Sequence, residues 1–348
     1  MTTTATTTAT TISTARIMET GMGFWPAKVL LSAVELRLFT ALGSTSMTGD
    51  ELQAALGLHR RANPDFFDTL VALHLLDRDG DGASARYRNT PETAAFLDRA
   101  SSHFMGGFFE MANARLYPFW GDLTAGLRTG QPQNEIKHTG APMFAELYSK
   151  PERLEQFMDA MSGISAANFQ AFAERFDFSR HQTLCDVGGA TGQLAIHVAM
   201  QHPHMRCIST DLPEVTAIAE RKIAAAGLAD RISAQSIDFF ADPFPKADVI
   251  TMGMILHDWN LEKKRHLVQA AYDALPPGGA FIVIENLIDD ARRENAFGLM
   301  MSLNMLIEFG EAFDFTGADF SGWCREAGFR STEVIHLAGP ASAGVAYK

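Results

Sequence analysis

Asp186-Val-Gly-Gly-Ala-Thr-Gly192 stands between a short apolar run and a stretch with helical periodicity, Gln193-Leu-Ala-Ile-His-Val-Ala199. Bare backbone at a helix N-terminus lets a ligand come close and meets it with unpaired N–H groups, and Gly188 and Gly189 are the residues placed to do so. About twenty residues on, a second apolar run ends at Asp211, where a carboxylate accepts hydrogen bonds from both hydroxyls of a ribose and opposes a 2′-phosphate. A third run ends in Ile237-Asp238-Phe239-Phe240, an acid for an adenine amino group beside an aromatic face that covers a ring. Acids 186, 211 and 238 at three successive strand ends, together with the glycine turn, point to an adenosine-type cofactor.

A fourth run leads into Met254-Ile-Leu-His257-Asp258-Trp259. An imidazole with its ordinary pKa near 6.5 is mostly neutral above pH 7 and can act as a base without special tuning. Glu285 ends a fifth run, and Asp314 follows a helix expected over 295–309. Both are expected on opposite sides of the ring, one holding its N–H so that the other nitrogen accepts a proton. His257, Glu285 and Asp314 are thus the expected catalytic residues. No metal is expected: Cys185, Cys207 and Cys324 form no C-x-x-C pair, which also argues against a disulfide framework.

The elements that must position these groups follow from the periodicity. Apolar runs at 183–187, 206–210, 232–237, 248–254 and 280–286 alternate with helical stretches, and late strands are expected near 332–337 and 343–347. This is the pattern of an α/β, Rossmann-like domain with a mostly parallel sheet, spanning 179–348. Residues 1–16 are Thr-rich and too poor in large apolar groups to order, so a disordered arm is expected. Residues 17–100 read as a winged-helix unit. An apolar stripe runs from Phe24 to Phe39, Thr48-Gly-Asp-Glu51 is a capping box, Asn63-Pro64 opens a third helix, and Asp79-Gly-Asp-Gly82 turns a hairpin. Residues 101–178 read as a helical linker rich in Phe and Met. Most of these side chains are core; Met143 and Met161 are expected to line a pocket, with Tyr117 and Tyr148 as its polar handles.

The chain has 348 residues and a net charge of −12, from 29 basic and 41 acidic residues. That balance gives no field for a phosphate backbone, and His59, Arg60 and Arg61 are the only basic cluster of the winged helix, so no nucleic-acid partner is expected. The first two helices carry more apolar surface than so small a unit can cover, which predicts a homodimer. No basic segment followed by an apolar one marks a signal, and no run reaches ~18 apolar residues, so the expected location is cytoplasmic with no membrane partner.

Taken in order, these segments resemble the small-molecule O-methyltransferases of the plant caffeate and acetylserotonin type and their bacterial relatives. Asp186-Val-Gly-Gly-Ala-Thr-Gly is similar to the family's D-V-G-G-G-T-G, Asp211-Leu212-Pro-Glu-Val to D-L-P-x-V, Leu256-His-Asp-Trp to L-H-D-W, and Leu275-Pro-Pro-Gly-Gly to L-x-P-G-G. The resemblance implies an N-terminal winged-helix dimerisation domain and a Rossmann-like domain for S-adenosyl-L-methionine. It also implies a substrate pocket between them, closed partly by a partner subunit. Asp186, Gly188, Gly189, Asp211, Leu212, Asp238 and Phe239 would then hold the cofactor and His257 would be the general base, flanked by Glu285 and Asp314. Asp258, Met301, Asn304 and Glu308 would face a small-molecule acceptor, most simply a phenol-like hydroxyl.

Three departures stand out. Ala190 replaces the middle glycine, Gly253 stands where plant members carry a cofactor-contacting lysine, and Phe313-Asp314-Phe315-Thr316 replaces the frequent E-R-T, losing a methylene and the arginine. The last falls beside the base and leaves a thioether acceptor open, giving a sulfonium product by S-methylation. A ligand-sensing winged-helix regulator is the remaining alternative, disfavoured by the acidic charge and the His257–Glu285 pair.

Overall fold

The computed structural model describes residues 12–140 and 151–348, which fall into two compact units, one ending at Asn113 and the other Ala114–Lys348. Of the expected disordered arm, residues 1–11 lie outside the described residues, and a helix opens at Ala15. Among the described residues no helix is long and apolar enough to cross a membrane.

In the first unit, helices Phe24–Glu35, Leu38–Leu42, Gly49–Ala55 and Asp65–Ala72 pack beside a small antiparallel sheet. Its strands β1 (Met47–Thr48), β2 (Leu76–Asp79) and β3 (Arg86–Asn89) run in the order β1-β3-β2. The capping box forms as the spacing predicts: Thr48 Oγ1 accepts from the Glu51 N–H, and the Glu51 carboxylate accepts from the Thr48 N–H. The helix expected to run unbroken to Phe39 does not. Arg37 takes a left-handed conformation (φ 56°) and restarts the helix. The break brings Leu38, Phe39 and Leu42 into one core with Leu52, Phe67, Leu70 and Tyr87, and that burial outweighs the ~1–2 kcal/mol of one left-handed residue. Ile17, Met18, Phe24 and Trp25 remain exposed.

The second unit is built on seven strands: β4 (Thr183–Val187), β5 (Arg206–Asp211), β6 (Ile232–Ser236), β7 (Val249–Gly253), β8 (Ala280–Glu285), β9 (Ser331–His336) and β10 (Ser342–Tyr347). Their order is β6-β5-β4-β7-β8-β10-β9. β4 to β8 pair in parallel, and β10 runs antiparallel to both β8 and β9. Each expected strand is present to within a residue or two at either end. The chain leaves β4 toward β5 and β6 on one side and returns to β7 on the other, so the switch in strand order lies between β4 and β7. The carboxyl edge at such a switch is where ligands bind open α/β sheets. Cores lie on both faces, one around Phe172, Leu194 and Val198, the other around Ile250, Leu267 and Phe320. The 101–178 region is helical where described, with Gly106–Met111, a π-helical turn Ala112–Leu116, Tyr117–Trp120, Leu123–Thr129 and the long helix Pro151–Arg175.

Candidate active site

At the switch point β4 ends in the glycine turn, and the turn leaves room for nothing larger. A Cβ on Gly189 would lie 2.3 Å from Ser209 Oγ and 2.9 Å from Asp186 Oδ2, and one on Gly188 would lie 2.4 Å from Ile255 Cδ1. The amide N–H groups of both glycines donate to the Thr210 carbonyl. Asp186 is buried inside the turn with Thr251 Oγ1 donating to it at 2.7 Å, and burial pushes its pKa up to about 7. Asp211, at the end of β5, holds the turn from outside: its carboxylate accepts from the Ala190 N–H at 3.0 Å and the Leu212 N–H at 2.8 Å. Ala190 adopts φ 49°, so the residue that replaces the family's glycine keeps a glycine-like conformation. Burial lifts Asp211 to about 6 despite those two donors.

Asp238 is exposed just past β6, with Phe239 at its side lying against Gly188. Phe239, Phe240 and Trp259 form an edge-to-face cluster with ring centres 4.7–6.0 Å apart. The residues therefore fit an adenosine-type cofactor. The turn is a cradle that a Cβ would fill, and buried Ser209 Oγ and Gln193 Oε1 beside it have no protein partner. Gly253 is explained as well: a Cβ there would lie 2.9 Å from the Phe169 ring, which takes the space a lysine would need.

His257 lies at the carboxyl end of β7, on a single tight turn, Leu256–Asp258. Glu285, from the neighbouring β8, fixes that turn: its Oε1 accepts from the N–H groups of Ile255 (3.2 Å), Leu256 (3.0 Å) and His257 (3.4 Å). The expectation that Glu285 and Asp314 flank the imidazole from opposite sides is corrected here. Both lie on its Nδ1 side, Asp314 Oδ1 at 3.5 Å and Glu285 Oε2 at 3.8 Å, while Nε2 faces Asp258 Oδ1 at 3.3 Å. A bridge between Ile288 and Thr316, with the Ile288 N–H donating to the Phe315 carbonyl, brings the two acids to the same flank. The donor atoms of His257, Glu285 and Asp314 all fall within 4.8 Å of one another.

This crowd of carboxylates changes the titration of the ring. Burial alone favours a neutral imidazole, but Glu285, Asp258 and Asp314 outweigh it and push the pKa up to about 10. The carboxylates favour the imidazolium, and the unperturbed ring that residue type alone predicts is not what the fold provides. Burial in turn raises Glu285 to about 7 and Asp258 to about 6.

A stability prediction follows. Asp186, Asp211, Asp258 and Glu285 all bind protons more tightly folded than unfolded, where they titrate near 4. Their contribution is complete in acid and is lost as pH climbs through 6 to 7. His257 has the same sign: its contribution is complete below its ordinary 6.5 and lost as pH rises toward 10. The urea midpoint of the ligand-free protein should therefore fall from pH 5 to pH 8, and a rising midpoint would contradict protonated buried acids.

Of the expected substrate contacts, Met143 and Tyr148 lie outside the described residues. Tyr117, Met161 and Met301 are half-buried on separate helices. Asn304 and Glu308, on helix Ala296–Phe309, are largely engaged by protein. Trp120 Nε1 donates to Asn304 Oδ1 at 2.9 Å, and Glu308 Oε2 accepts from Arg115 (3.0 Å) and Asn134 (2.9 Å). The same helix packs on the His257 turn, and its Ser302 Oγ accepts from the Asp314 N–H at 3.2 Å. The residue that sequence reasoning missed is Lys264, wholly buried beside this site. The signal was present: it occupies a stripe with Leu267, Val268 and Ala271 at helical spacing.

The sheet order, glycine turn and strand-end acids define a Rossmann-like α/β domain with a site for a nucleoside-type ligand beside a buried imidazole. Residues 120–330 match the O-methyltransferase domain and residues 18–99 the O-methyltransferase dimerisation domain, and the chain belongs to that family. It is 36% identical to the tetracenomycin polyketide synthesis 8-O-methyl transferase of Streptomyces glaucescens, over 95% of this chain and 96% of that one. With the 3-hydroxy-5-methyl-1-naphthoate 3-O-methyltransferase of Streptomyces sahachiroi it shares 34%, over 93% and 91%. The crystal structure of human N-acetylserotonin methyltransferase in complex with S-adenosylmethionine superposes with a TM-score of 0.89 at 28% identity, covering 98% of this chain and 99% of that one. The chain is an S-adenosylmethionine-dependent methyltransferase.

Proposed function

We propose that this enzyme methylates a phenolic hydroxyl on a small fused-ring aromatic molecule, with His257 as general base. The observation that carries the reading is the buried His257 at the carboxyl edge of the sheet, its Nδ1 side held by Asp314 and Glu285. The names of the two Streptomyces relatives, one acting on a tetracenomycin polyketide and the other on a hydroxynaphthoate, support a flat polycyclic phenol.

S-adenosylmethionine supplies a methyl carbon on a cationic sulfur, so the protein's task is to place and deprotonate the acceptor. Gly188, Gly189, Asp211, Leu212, Asp238 and Phe239 would hold the cofactor, with Asp186 bracing the turn from within. The Asp258 side chain keeps 16% of its surface exposed against 1% for Glu285 and Asp314, which marks the Nε2 edge of the ring as the one an acceptor reaches. His257, once neutral, takes the phenol proton on Nε2 while the acids at Nδ1 stabilise the imidazolium. The dimerisation domain and the exposed Ile17, Met18, Phe24 and Trp25 support a homodimer.

Transfer of tritiated methyl from the cofactor to a panel of hydroxynaphthoates, anthracyclic phenols and methylthio acids tests the reading. Product is expected from the phenols; labelling of the methylthio acids alone would replace O-methylation by S-methylation.

A further inference from the structure

Lysine ammonium groups rarely leave water: they either snorkel to the surface or lose their proton. Lys264 is 0% exposed, and its placement is specific. Its Nζ donates to the carbonyl of Trp259, two residues past His257. The same nitrogen lies 3.9 Å from the ring centre of Phe313 and 5.8 Å from that of Phe315, the residues on either side of Asp314. One side chain thus touches both backbone segments that frame the imidazole.

The charges facing it come from three elements: Glu285 on β8, Asp314 on the 313–315 segment and Asp258 on the His257 turn. Burial draws the ammonium down to about 8, and those acids act against that shift. When all are ionised, three carboxylates surround one imidazolium, and Lys264 brings the sum from −2 to −1. Buried charge of one sign is costly unless it is balanced.

We propose that Lys264 is a positioning residue for His257, tying the turn that carries the imidazole to the segment that carries Asp314 and supplying the second positive charge among the three carboxylates. The proposal rests on His257 as the base for its role in turnover, though its electrostatic part is measured without turnover.

The test uses the full-length enzyme labelled with ¹⁵N at histidine. The spectrum carries 11 histidines, and the His257 resonance is the one absent from His257→Gln. Asp258 and Glu285 ionise near pH 6 to 7, where the Lys264 ammonium is charged. The inflection their ionisation imposes on the His257 nitrogens should move to higher pH by on the order of one unit in Lys264→Met. Lys264→Arg should restore the wild-type titration. The ratio of variant to wild-type kcat/KM should change through that same inflection, while affinity for S-adenosylhomocysteine stays unchanged.

A folded Lys264→Met protein in which that inflection is unmoved overturns the proposal, because a merely structural lysine would lower activity without moving it. Should that variant not fold, Lys264→Gln keeps a donor for the Trp259 carbonyl without the charge and carries the same comparison. Wild-type turnover in His257→Gln would defeat base catalysis while leaving the titration comparison standing, so the two failures are distinguishable.

Discussion

His257→Gln should fold, bind S-adenosylhomocysteine as the wild type does, and lose about 10²–10⁴ in turnover on the true acceptor. Glutamine keeps a polar side chain in a pocket where the native residue is 5% exposed, so the variant removes proton transfer rather than packing. The pH dependence separates base catalysis from a binding role. Because Glu285, Asp258 and Asp314 outweigh burial and hold the ring's pKa near 10, only a minor fraction of free enzyme is competent at pH 7. The wild-type kcat/KM, which reports the free enzyme, should climb about tenfold per unit through the alkaline range. The limb of His257→Gln should instead follow ionisation of the phenol itself, so that acceptors of different acidity displace the variant's profile along the pH axis more than the wild type's. Glu285→Gln should cost less than His257→Gln, since the amide oxygen still accepts from the Ile255–His257 N–H groups. Near wild-type turnover in His257→Gln at pH 7 would eliminate base catalysis by this residue.

The strands and the acids that end them were legible because both depend on near neighbours: apolar runs of strand length, each closed by an acid or a glycine turn. What was not legible depends on contacts far apart in sequence. Glu285 and Asp314 were expected on opposite sides of the ring, and only the pairing of Ile288 with Thr316 decides that they share one. The consequence reaches the chemistry, for two acids on one nitrogen and Asp258 on the other make an imidazolium of a ring expected to be neutral. Arg37 breaks its helix with neither glycine nor proline to announce it, the break being enforced by the core it completes. Lys264 sits in plain periodic register, yet a lysine on an apolar stripe reads as a surface charge until Phe313, Phe315 and the Trp259 carbonyl are seen to enclose it. Asn304 and Glu308 have oxygens engaged by partners remote in sequence, Trp120, Arg115 and Asn134, which the spacing along their helix could not show.

Asp211→Ala should weaken binding of S-adenosylmethionine and its demethylated product by about 1.5–3 kcal/mol, or roughly ten- to 150-fold, the scale of lost hydrogen bonds to a charged acceptor. The carboxylate has two tasks in this reading. Toward the protein it accepts from Ala190 and Leu212 and so steadies the end of the glycine turn; toward the ligand it offers remaining lone pairs to the ribose hydroxyls. Alanine removes both. Asparagine keeps about the same volume but only one acceptor oxygen, and Ala190 and Leu212 use different ones, so Asp211→Asn should keep one of the two turn contacts and lose only part of the affinity. If the acid served the turn alone, both variants would change the melting temperature of the ligand-free protein and asparagine would bind nearly as well as aspartate. Calorimetric titration of S-adenosylhomocysteine into the three proteins decides the matter, and undiminished affinity in Asp211→Ala would remove this residue from the cofactor site.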